Sequence, residues 1–109
     1  MNTLIFDSIF KNEIQDLINL KRAQGFKYAA EEFALKRIDK YFVDKNIQEK
    51  VIIKSVVDEW CLRKTYETQA NQNNRISIMR VLCSYLLELG FDVYVPPKKL
   101  TRCAPKYNA

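Results

Sequence analysis

The chain contains no histidine. That removes the commonest general base and the commonest metal ligand. It also excludes every nucleophile that a histidine would activate. Only two glycines and three prolines occur in 109 residues, so long irregular loops are not expected and helices are favoured. No apolar run approaches the roughly 18 residues of a membrane span. The opening MNTLIFDSIF has no basic segment ahead of an apolar one, so it is not expected to act as a signal peptide. The three cysteines, Cys61, Cys83 and Cys103, are an odd set without metal-like spacing. The first two lie inside helical patterns, where free cysteine behaves as a small apolar residue. There is no P-loop, glycine-rich phosphate cradle or metal-ligand cluster. The expectation is a reduced, cytoplasmic protein of one domain, with no cofactor.

Acidic residues are missing from two stretches. Residues 96–109 hold Lys98, Lys99, Arg102 and Lys106 and no acid, so the tail carries +4. Residues 1–95 hold 14 basic and 13 acidic groups, which leaves the body at +1. A near-neutral body excludes strong non-specific attraction to a polyanion over the whole surface, but allows one basic face. The second acid-free stretch is Thr68–Leu87, TQANQNNRISIMRVLCSYLL. It opens with amides and an arginine and becomes an apolar helix. Amides and arginines can hydrogen-bond phosphate oxygens and base edges without repulsion.

Apolar spacing predicts four helices. The first runs from about Asp7 to Gln24, capped by Asp7 or Ser8 and stopped by Gly25. The second runs from about Ala29 to Lys45, with Ala30, Phe33, Ile38, Tyr41 and Phe42 on or near its inner side. Val51, Ile52 and Ile53 form either a short extended segment or, as the preferred reading, an apolar lid. Ser55-Val56-Val57-Asp58 resembles a capping box that starts a third helix reaching about Lys64. That helix turns Val56, Trp60 and Cys61 inward. The fourth runs from about Gln69 to Leu89 and stops at Gly90. With Met79 at the centre of its buried face, Ile76, Leu82, Cys83 and Leu86 lie within about 60° of it. Asn73, Ser77, Arg80 and Ser84 form a polar stripe opposite.

Candidate nucleic-acid contacts follow from residue type. The start of the fourth helix offers free backbone N–H groups to phosphate, and Asn71, Asn73, Asn74, Arg75 and Ser77 add donors. The competing reading makes Asn a cap and pairs Arg75, near the apolar face, with Glu67 or Asp58. Lys27 can meet a phosphate while Tyr28 covers the sugar-phosphate backbone; alternatively they are a loop lysine and a packing tyrosine. Arg63 and Lys64 can serve phosphate or simply the helix dipole. Lys98 and Lys99, in the basic tail, are a phosphate clamp or a solvated linker.

The assembled pattern resembles a known family. Asn74-Arg75-Ile76-Ser77-Ile78-Met79-Arg80, then Leu82, Tyr85-Leu86, Gly90 and Tyr94-Val95-Pro96-Pro97-Lys98, is similar to the N-terminal core-binding domain of tyrosine-type site-specific recombinases, the phage integrase family. Lys21-Arg22-Ala23-Gln24-Gly25-Phe26-Lys27-Tyr28 resembles the corner between that domain's first two helices. Leu35, Ile38-Asp39 and Tyr41-Phe42 resemble one side of its second. The likeness covers about residues 5–98.

The resemblance implies an all-α, SAM-like orthogonal bundle of four helices with an extended C-terminal linker. The core-binding domain would occupy residues 1–91 and the linker 92–109. It implies half of a clamp around double-stranded DNA, monomeric when isolated, with other recombinase protomers as partners and a nucleoid-associated location. The catalytic half, with an arginine–lysine–histidine–arginine set and a nucleophilic tyrosine, is expected outside this chain. Tyr107 is no candidate nucleophile, and the chain itself is expected to be non-catalytic. The DNA-facing residues carried over are Lys27, Tyr28, Arg63, Lys64, Thr65, Asn71, Asn73, Asn74, Ser77 and Arg80. The alternative is a small helical protein-interaction module whose polar face meets protein.

Overall fold

The computed structural model describes residues 5–62 and 64–97. Among these, four helices carry the architecture: α1 Lys11–Ala23, α2 Ala29–Asp44, α3 Lys54–Cys61 and α4 Gln69–Glu88. Two short strands, β1 Val51–Ile52 and β2 Asp92–Val93, pair in parallel. α4 is the central element and packs on the other three helices and on β2. Its buried face carries Ile76, Met79, Leu82, Cys83 and Leu86, as the spacing predicts, together with Ile78. Phe10, Ile14, Ile18, Leu35, Ile38, Phe42 and Val57 complete a fully buried core around it.

Three helices end in the same way. Gly25, Asn46 and Gly90 take φ of 101°, 57° and 98° just past α1, α2 and α4. After each, two backbone bonds close the end: Gly25 N to Arg22 O and Phe26 N to Lys21 O, Asn46 N to Val43 O and Ile47 N to Phe42 O, Gly90 N to Leu87 O and Phe91 N to Leu86 O. This is the Schellman arrangement, in which the next apolar residue usually folds back onto the helix. Ile47 and Phe91 do so and pack on the core. Phe26 stays 56 % exposed.

The helix starts depart from expectation. α1 begins at Lys11, later than Asp7, because Ser8–Phe10 form a preceding turn with Lys11 N bonded to Ser8 O. Ser8 Oγ accepts from Phe10 N, while the buried Asp39 carboxylate of α2 accepts from Asp7 N and Ser8 N at 2.8 Å each. The cap therefore comes partly from another helix. The capping box at Ser55–Asp58 does not form. α3 starts two residues earlier, its N-cap Ile53 has no side-chain bond, and Asp58 pairs instead with Lys54 at 2.6 Å, one turn away. α4 is capped by Thr68, whose hydroxyl accepts from Asn71 N.

The preferred lid reading of Val51–Ile53 is also corrected. Val51 and Ile52 are a strand in register with Asp92 and Val93, and Tyr94 N donates to Ile52 O at 2.9 Å. Ile52 is buried, whereas Ile53 is 57 % exposed. Residues 92–96, expected to begin the linker, belong to the packed body: Val93 and Pro96 are buried and Tyr94 and Val95 lie against the core. Phe33 points outward at 59 % exposure, against its expected inward place. In α3, Val57 is fully buried and Val56 only partly.

Candidate nucleic-acid interface

An open concavity of about 1370 Å³ lies between the α1–α2 corner, α2, the end of α3 and the first half of α4. Lys27 and Tyr28 enter it from the corner, Lys64 from the α3–α4 connection, and Asn71, Asn74, Arg75 and Ser77 from α4. Two stretches distant in sequence, 27–28 and 64–77, thus present expected residues to one space. Lys21, Phe26, Phe33 and Arg37 also line it, and these were not among the residues singled out. A signal for two of them exists in α2: Ala29, Phe33 and Arg37 follow one another at four-residue spacing and share a face. The acids Glu31 and Glu67 lie on the same lining.

Thr65, Asn73 and Arg80 do not line the concavity. Helical geometry gives the reason. Asn73 is turned about 100° from Asn74, and Arg80 about 120°. The concave face of α4 lies roughly a third of a turn round from the expected polar stripe and shares Ser77 with it. Asn73 Oδ1 accepts from Gln69 Nε2 on the helix surface, and Arg80 is half-buried. Arg63, Lys98, Lys99 and Tyr107 lie outside the described residues.

Two arginines shape the rims. Arg22 Nε donates to Lys27 O at 3.0 Å and Arg22 Nη2 to Glu32 Oε1 at 2.9 Å. This holds the corner next to Tyr28, which takes the left-handed φ of 58° at the start of α2. Tyr28 itself is 9 % exposed. That burial favours the packing role over a backbone-covering one, and with the charge of Glu31 it pushes the hydroxyl pKa up.

Arg75 is structural as well as part of the lining. Its guanidinium makes a two-pronged contact with Glu67 at 2.5 and 2.7 Å, donates to the carbonyls of Trp60 and Leu62, and lies 5.4 Å from the Trp60 ring centre. Of the two partners weighed from the sequence, Glu67 is the one observed. Hydrogen bonding from Arg75 holds the Glu67 carboxyl down at about 2. Trp60 Nε1 returns a bond to Arg75 O at 3.1 Å.

Charge pairing separates the cations into two groups. Arg22, Lys36, Lys45, Lys50, Lys54 and Arg75 each bind an acid. Among the described residues, Lys21, Lys27, Arg37 and Lys64, all on the concave face, make no ion pair. Elsewhere, Lys11, Lys40 and Arg80 make none among the described residues either. The thiols of Cys61 and Cys83 are buried, and desolvation pushes them up to about 11 and about 12, so neither is poised as a nucleophile. Among the described residues no cluster of acids or cysteines could hold a metal ion, and no helix is long and apolar enough to cross a membrane. Comparison with protein-family models, curated proteins and solved structures finds no match.

Proposed function

We propose that this chain is a DNA-binding clamp domain of the tyrosine-recombinase core-binding kind, with a SAM-like arrangement of its four helices. It positions a larger assembly on double-stranded DNA and contributes no chemistry of its own. One observation carries the reading: four cations that make no ion pair among the described residues meet Asn71, Asn74 and Ser77 across a single concavity. Lys21, Lys27, Arg37 and Lys64 would take phosphates and fix the register. The amides and the serine of α4 would reach base edges. The near-neutral body confines attraction to this face and keeps binding by the domain alone weak. This role places the protein on cytoplasmic, nucleoid DNA.

The test is a fluorescence-anisotropy titration of the protein on duplex DNA at several salt concentrations. Four phosphate contacts give a log–log salt slope of about −3 to −4. Absence of salt-sensitive binding at low ionic strength would overturn the proposal. The exposed rings of Phe26 and Phe33 would then make a protein partner the better reading.

A further inference from the structure

Phe26 and Phe33 are the anomaly of the concave face. They are 56 % and 59 % exposed, yet both line a space rimmed by unpaired cations. Phe26 follows the end of α1 in the same backbone motif that folds Ile47 and Phe91 back onto the core, and it alone of the three remains outside. Its ring instead has Lys21 Nζ 5.8 Å from its centre. Phe33 stands on α2 among Ala29, Ala30 and Ala34, whose small side chains leave its surroundings low and open to a flat ligand.

Resting on the clamp reading, we propose that Phe26 and Phe33 are stacking platforms for unpaired nucleobases, so that the preferred ligand is DNA locally opened at the bound site. The chemistry is complementary at both ends. Lys21, Lys27, Arg37 and Lys64 match phosphates, and a phenyl face between them matches a base that has left its stack. A fully paired duplex hides those faces, and offering them from a duplex costs unstacking energy. An already opened site does not bear that cost.

The experiment compares three labelled probes by anisotropy: a short duplex, the same duplex with a central mismatched bubble, and its single strand. Wild type should bind the bubble about tenfold more tightly than the duplex, as loss or gain of one stacked base implies. Phe26→Ala and Phe33→Ala should each lower the bubble-to-duplex affinity ratio severalfold, while the salt slope, set by the cations, stays the same. Both side chains are largely in solvent, so the variants should fold, and circular dichroism checks this. Phe33→Leu keeps apolar bulk without a ring and should behave like Phe33→Ala. Equal affinity of wild type for bubble and duplex would overturn the inference and leave the clamp standing. So would a Phe33→Leu variant that keeps the full preference. No salt-sensitive binding to any of the three probes would remove the clamp reading and this inference together.

Discussion

The α1–α2 corner and the α3–α4 connection each hang on one arginine, Arg22 and Arg75, and each delivers a lysine, Lys27 or Lys64, to the concave face. The two clips differ in depth. Arg22 keeps 40 % of its side chain in solvent and makes one bond to Glu32, whose second oxygen is buried without a partner among the described residues. Arg75 keeps 12 %, grips both oxygens of Glu67, holds two carbonyls and sits against the Trp60 ring. A guanidinium fixes a loop firmly when its planar fork is filled on several sides and water is excluded. The α3–α4 rim should therefore be the rigid edge of the concavity and the corner the yielding one.

The largest effect expected from breaking this contrast is Arg75→Ala. Losing the charged donors to the Trp60 and Leu62 carbonyls alone costs about 2–3 kcal/mol. Arg22→Ala should cost less, about 1–2 kcal/mol, because its bond to Lys27 O is exposed and screened although its loss leaves the buried Glu32 carboxylate without that donor. Urea unfolding of both variants measures the difference, and equal losses would erase the distinction between the rims.

Acid should sharpen the contrast next. The Glu67 carboxyl is held at about 2 instead of its ordinary 4.5. A depressed carboxyl contributes stability that is fully present above the unfolded value and lost as pH falls through the folded one. Wild type should thus lose Tm progressively from about pH 4.5 towards pH 2. Glu67→Gln should start lower and show a shallower decline over that window, read by thermal melts at several pH values.

Lys27→Ala and Lys64→Ala should each flatten the salt dependence of DNA binding by about one unit of slope. Arg75→Ala should flatten it too if the deep clip is what holds Lys64 in place, a coupling that the double variant with Lys64→Ala would show as non-additive. The smallest effects belong to residues off the concave face. Asn73→Ala and Arg80→Ala should change affinity by less than about twofold if the concavity is the contact surface, since neither lines it. A loss of specificity at particular base pairs in either would move the interface round α4 to the polar stripe.

Much of this was legible in the chain. The helices follow from apolar spacing because α4 packs on three neighbours and must keep one face uniformly buried. The left-handed ends at Gly25 and Gly90 follow from the residue type. Arg75 reads as structural because its angular position sets it beside the buried face, with Glu67 directly before the N-cap. The strand pair did not show. Two residues carry no period, and their partner lies far along the chain. The direction of the concave face of α4 did not show either, because a polar stripe marks where solvent is and leaves open which neighbour lies across it. Phe33 misled for the opposite reason: an apolar ring at helical spacing reads as core, and only the packed structure shows that nothing covers it.

The pairing of Val51–Ile52 with Asp92–Val93 bears on the order in which the molecule assembles. These partners are some forty residues apart, and closing so long a loop is entropically costly until α3 and α4 have docked. A two-residue ladder returns little in exchange. It should be the last contact to form and the first to open, and the amide of Tyr94, bonded to Ile52 O, should exchange its hydrogen well before the amides in the middle of α4. The strand pair is then a latch that can undo itself while the helices stay folded.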